Sequence, residues 1–147
     1  KKHVVDEDLE VIVTEGILRT TEYFKLEYLH VSAGTSVMPM ASVELTINGR
    51  KVRGADWGNG PIDSAYNTIA KLTGTHSELL RFTVSALTGG TDAQGEVTVR
   101  LRENGLVALG RGTDPDIITA SAKAYINGLN RLEYLKAHPL QASQQTV

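Results

Sequence analysis

Two stretches of this chain are built on one plan, and that internal repetition constrains the fold more than any other feature. Val43-x-Leu45-x-Ile47 is followed by Asn48-Gly49 and then Gly58-x-Gly60; Val97-x-Val99-x-Leu101 is followed by Asn104-Gly105 and then Gly110-x-Gly112. The offset between the copies stays between 52 and 56 residues. Apolar residues at every second position give a strand with one buried face. Asn-Gly suits a two-residue type I′ hairpin, in which both turn positions need positive φ. Each copy then changes to helical spacing. Ile62, Ala65, Tyr66, Ile69 and Leu72 form the first stripe, with Pro61 at a favoured first position and Gly74 as a stop. Ile118, Ala122, Tyr125, Ile126, Leu129 and Leu132 form the second. A further alternating run precedes each hairpin, from Phe24 to Val31 and from Leu80 to Ala86; a Gly-rich turn from Thr88 to Ala93 follows the latter. The economical reading is a duplicated βββα unit, giving an α+β fold of two pseudo-symmetric units packed together.

The boundaries follow. Residues 1–20 read as the end of a preceding linker subdomain: Asp6, Glu7, Asp8 and Glu10 stand at an apolar run as at the start of a short helix, and Thr14-Glu15-Gly16 marks a joint. The main domain spans 21–136, with repeat one at 21–74 and repeat two at 75–136. Residues 137–147 are polar, contain Pro139 and read as a flexible tail.

Chemistry is harder to find. The chain has no cysteine, which excludes disulfides and thiolate catalysis. His3, His30, His76 and His138 are scattered without metal-ligand spacing. No Walker loop, G-x-S-x-G elbow or H-E-x-x-H is present. Asp6/Asp8 and Asp114/Asp116 are paired acids, but both pairs sit where helices are expected to begin, which acids favour anyway. A net charge of −2 argues against a nucleic-acid partner, and no apolar run approaches the length of a membrane span. A cytoplasmic location is expected. The twin Gly-x-Gly motifs lack the third glycine of a dinucleotide fingerprint. Placed at strand-to-helix junctions, they either make tight turns or let an anionic ligand approach the backbone N–H groups of a helix start. Ile62 and Ile117 lie just beyond each pair, so a small amino acid suits the second alternative. Tyr66 either lines that pocket or packs in the core.

Lys2-x-Val4-x-Asp6-x-Asp8-Leu9, Gly58-Asn59-Gly60-Pro61-Ile62-Asp63 and the run from Gly110 through Asp116-Ile117-Ile118 to Ala124-Tyr125 together resemble the C-terminal part of 2-isopropylmalate synthases, over nearly the whole chain and in order. The resemblance implies a homodimerising regulatory domain that binds leucine at the dimer interface, as feedback on leucine biosynthesis. The parent enzyme would condense acetyl-CoA with 2-oxoisovalerate on a separate metal-dependent barrel. The barrel and its H-x-H metal motif are not in this sequence, so no catalytic residue, metal or cofactor is expected here. The leucine-binding positions that the resemblance implies are Gly58, Asn59, Gly60, Ile62, Asp63, Leu79, Phe82, Ala86, Ala93, Gly110, Gly112, Asp116 and Ile117. Phe82 stands where an aromatic residue, often tyrosine, is expected. Two other readings remain open: an isoleucine-sensing domain of a citramalate synthase, and a non-catalytic assembly domain whose glycines are purely structural. A pocket separates ligands differing in one methyl position by only ~1–3 kcal/mol.

Overall fold

Residue alternation decides the first sheet. The computed structural model describes residues 22–87 and 94–139. In it β1 (Phe24–Ser32), β2 (Met40–Ile47) and β3 (Arg50–Trp57) pair antiparallel in that order. Ala41, Val43 and Leu45 are buried on one face, with Ser42 and Glu44 on the other. Asn48 and Gly49 take φ of 52° and 82°, the left-handed pair expected for the hairpin. Helix α1 (Pro61–Thr73) follows, with proline in its first turn and Gly74 ending it in the left-handed region at φ 66°.

The second unit repeats this. Strands β4 (Glu78–Leu87), β5 (Gln94–Glu103) and β6 (Leu106–Asp114) form a separate antiparallel sheet, followed by α2 (Ile117–Ala137). The architecture is therefore α+β, two βββα units, as expected. The repeat is stricter than the sequence motifs suggest. Leu45 and Leu101, Gly49 and Gly105, and the N-cap residues Gly60 and Asp116 are all 56 residues apart. Even a β-bulge is duplicated, between Leu26 and Tyr28 and again between Leu79 and Arg81. The edge strands that follow the hairpins are held alike. Asn67 Nδ2 donates to the Trp57 carbonyl at 2.9 Å, and Lys123 Nζ, 56 residues on, donates to the Thr113 carbonyl at 3.4 Å.

One expectation is corrected. Gly58-x-Gly60 and Gly110-x-Gly112 are not equivalent. The first pair lies between β3 and α1, but β6 runs on to Asp114, so Gly110 and Gly112 lie inside a strand. Their places in the first unit are taken by Gly54 and Asp56.

The units meet through their helices. α2 packs on β5 and β6, and its other sides reach α1 and β1. Tyr66 and Tyr125 stack with ring centroids 4.2 Å apart, and the Tyr66 hydroxyl donates to the Ser121 carbonyl at 2.9 Å. Burial pushes both tyrosine hydroxyls above their ordinary pKa. Tyr66 is thus a core residue, 8% exposed. Asn130 of α2 ties down the start of β1: its Oδ1 accepts from the Tyr23 and Phe24 amides at 3.0 and 2.8 Å, and its Nδ2 donates to the Phe24 carbonyl at 2.9 Å. A buried Glu103 at the end of β5 pairs with Lys136 at 2.8 Å and accepts the His76 amide at 2.9 Å. No helix among the described residues is long and apolar enough to cross a membrane.

Candidate functional site

The structure brings one group of the expected site residues together at the start of α1. Gly58 packs flat against the helix, where a Cβ would overlap the Ser64 amide. Its own N–H donates to the Pro39 carbonyl at 3.2 Å, which fixes the loop on the neighbouring strand connection. Asn59 N donates to Asp63 Oδ2 at 2.8 Å. Gly60 is the N-cap, in extended backbone, and supplies no side-chain hydrogen bond to the first turn. A helix leaves its first N–H groups without intrahelical partners, and the macrodipole makes that end positive. In this turn Ile62 is half-buried and Asp63 is exposed. An open, anion-attracting helix start thus has one carboxylate, Asp63, beside it and one apolar side chain, Ile62.

The second helix start is built oppositely. Asp116 is its N-cap and accepts from Thr119 N at 3.0 Å and Thr119 Oγ1 at 2.7 Å. The Thr119 hydroxyl, joined by the amides of Thr119 and Ile118, outweighs burial and holds the Asp116 carboxyl below the usual carboxylate range. The α2 start therefore already holds its own anion. Asp114 Oδ2 in turn accepts the Asp116 amide at 2.9 Å.

Gly110 and Gly112 serve packing. A Cβ on Gly110 would overlap the Ala124 carbonyl and stand 2.5 Å from the Gly128 nitrogen; one on Gly112 would overlap the Ala120 carbonyl and stand 2.5 Å from the Ala124 nitrogen. The small residues Ala120, Ala124 and Gly128, one turn apart, let α2 lie directly on the backbone of β6. A ligand has no room at this contact.

Ile117 rejoins the site from another direction. Its Cδ1 lies over Gly95, close enough that a Cβ there would be 2.7 Å away, and Gly95 pairs with Ala86 of β4. Phe82 and Leu79 continue the same face, opposite Val99 and Leu101. Leu79 lies seven residues from Ala86, about 23 Å along the strand, far from either helix start. Ala93 lies outside the described residues. The two helix starts are neighbours, since the Tyr66–Ser121 bond lies one turn beyond Ile62 and one turn beyond Ile117.

One residue was missed. Val84 shares the face with Leu79 and Phe82 and is the most exposed of the three: 49% against 42% and 37%. Strand alternation alone identifies it. The corresponding residues of the first unit, Leu26, Leu29 and Val31, pack against the core, where α2 lies beside β1. Neither helix makes a substantial contact with β4. An apolar strip is therefore bare on one unit and covered on the other. No group of three or more metal-ligating side chains is found among the described residues.

Residues 3–133 match the family model described as the LeuA allosteric (dimerisation) domain. The chain belongs to that family. Its relatives include a 2-isopropylmalate synthase of Syntrophus aciditrophicus, 51% identical over 136 residues, and one of Nitratidesulfovibrio vulgaris, 50% identical over 133. These alignments take in 92% and 90% of this chain but 26% of each relative. A third, from Heliobacterium modesticaldum, is 44% identical over 134 residues and again 26% covered. The LeuA domain chain thus spans about a quarter of the length of the curated relatives it matches. The solution structure of both dsRBDs of DRB4 along with linker covers 93% of this chain and 97% of its own at a TM-score of 0.29 and 13% identity, too low to say anything of fold or ligand.

Proposed function

We propose that this chain is the allosteric domain of a 2-isopropylmalate synthase working in the cytoplasm, and that it senses leucine on behalf of a catalytic part elsewhere in the polypeptide. The observation that carries the reading is the difference between the two helix starts. Asp116 closes one with its own carboxylate; Gly60 leaves the other open. A free amino acid supplies what is lacking there: its carboxylate for the first-turn N–H groups of α1 and its ammonium for Asp63. A carboxylate at a helix start gains ~0.3–1 kcal/mol, up to about 2 when partly buried, so the isobutyl group must supply much of the affinity. Ile62, Ile117, Ala86 and Phe82 are the apolar candidates, with a second copy seated on the β4 face completing the pocket. The catalysis of the whole enzyme, and any divalent metal it needs, belong to the portion outside this sequence; the domain alone turns over no acetyl-CoA.

Titration of leucine, isoleucine, valine and leucine amide into the purified chain, followed by thermal unfolding, tests this. A ligand at 100 times its Kd stabilises by about 2.7 kcal/mol. Leucine is expected to raise Tm, and leucine amide, which lacks the anion, to raise it much less. Tighter binding of isoleucine would reassign the domain to a citramalate synthase. Binding of none of them would leave an assembly domain.

A further inference from the structure

The outer face of the second sheet carries a charge arrangement that the ligand site does not explain. Register places Arg81, Arg100 and Leu109 in one row across β4, β5 and β6, and Thr83, Thr98 and Arg111 in the next. Arg81 and Arg100 are direct cross-strand neighbours, and like charges so placed destabilise a sheet. The first unit solves the same row differently. There Tyr28, Glu44 and Arg53 stand in line, with Glu44 and Arg53 paired at 2.9 Å. On the second sheet Arg102 is paired, with Glu78 at 2.7 Å, but no carboxylate among the described residues reaches the guanidinium groups of Arg81, Arg100 or Arg111. All three side chains are exposed. They form a cationic strip, with Glu96 one row beyond Thr98 on the same face, on a chain whose net charge is −2. An extended acidic partner is what fits it.

The chain carries one. Asp6, Glu7, Asp8 and Glu10 place four carboxylates within five residues. We propose that this acidic run docks across Arg81, Arg100 and Arg111 on the outer face of the second sheet. The connection is short. Tyr23 is bonded to Asn130, and the next residue, Arg131, donates to the carbonyl of Leu109 at 3.1 Å, at the edge of that sheet. Leu109 is the cross-strand neighbour of Arg100. Twelve residues from Glu10 to Glu22 span up to about 40 Å when extended, well beyond the two strand spacings of about 4.8 Å each that separate the β6 edge from Arg81. Both outer faces carry two glutamates, but on the first sheet Glu44 pairs with Arg53 and Glu27 stands beside Lys25 and Lys51, which leaves no row of cations like Arg81 and Arg100. Docking would tie the segment that leads into this domain to the unit farthest along the sequence.

The absence of cysteine permits a clean test. A spin label on a single Val11→Cys variant of the full chain should broaden the amide signals of Arg81, Thr98 and Arg100 selectively. That broadening should be lost in Arg81→Gln/Arg100→Gln, and in 1 M salt, where the Debye length is about 3 Å. Thermal unfolding supplies a second readout. The paired arginine change should lower Tm in the parent chain, yet leave it unchanged or raise it once Asp6, Glu7, Asp8 and Glu10 are made Asn or Gln, because only repulsion then remains. Broadening centred on the first sheet, broadening indifferent to the arginine changes, or an arginine effect of the same sign in both backgrounds overturns the proposal. So does broadening of an unlabelled, isotope-enriched chain by a labelled second copy, which would assign the run to a neighbour.

Discussion

Single glycines in this domain have opposite roles that their motif conceals. Gly112 has backbone of α2 against it on the side where a Cβ would project. Gly112→Ala should therefore push the helix off β6, and overpacking of this kind costs about 1–3 kcal/mol or more; a urea melt should show the loss of midpoint. Gly60 has open space at the same position and ordinary extended backbone. Gly60→Asp should fold normally and gain up to ~1 kcal/mol from a carboxylate at the helix start. It should also weaken leucine binding, because the side chain then occupies the proposed seat of the ligand carboxylate. Calorimetry showing undiminished leucine affinity in a stable Gly60→Asp chain would move the site elsewhere. The same reasoning explains what the sequence hid. Gly-x-Gly is legible as a close backbone approach, but whether a helix or a ligand makes the approach depends on where β6 ends. That is fixed by Asp114 and Asp116 capping α2 four residues later than the second glycine suggests.

Among the elements, the alternating strands, both Asn-Gly hairpins and both helices were readable from residue spacing because each has a period that one buried face imposes. What could not be read was which elements share a layer. The Tyr66–Tyr125 stack, the Asn130 clamp and the Glu103–Lys136 pair join residues 33 or more positions apart, and no local pattern announces them. The last of these has a measurable signature. Burial alone would raise the Glu103 carboxyl, but the Lys136 ammonium and the His76 amide outweigh it and hold the group below the ordinary glutamate value of 4.5. A depressed folded-state pKa gives stability that is present above the unfolded value and lost as pH falls through the folded one. Glu103→Gln should accordingly flatten the fall in stability below pH about 4.5, and denaturant midpoints at pH 7, 4 and 3 should reveal a shallower slope than in the parent. An unchanged acid limb would mean that the pair is too solvated to matter.

For the molecule as a whole, the unequal covering of β1 and β4 gives the expected self-association a testable location. Leu79, Phe82 and Val84 offer an apolar face, and a twofold interface needs one patch that complements itself. Val84→Glu should shift the chain from about twice its mass of 15.9 kDa towards that mass in light scattering, with little cost to the monomer because the residue is half exposed. Thr83→Glu, on the opposite face of the same strand, should leave the assembly intact. The Asn130 clamp bears on a different matter, the order in which the chain acquires its structure. Its partners in β1 are 106 and 107 residues away in sequence, so the first unit is not finished when its own helix has formed. The hairpins can close early from local contacts, but Tyr23 and Phe24 receive their final hydrogen bonds only when the last helix arrives. Contacts of such separation slow folding. During synthesis the leading edge of the first sheet therefore waits, open to proteases and to other nascent copies, until nearly the entire second unit has emerged.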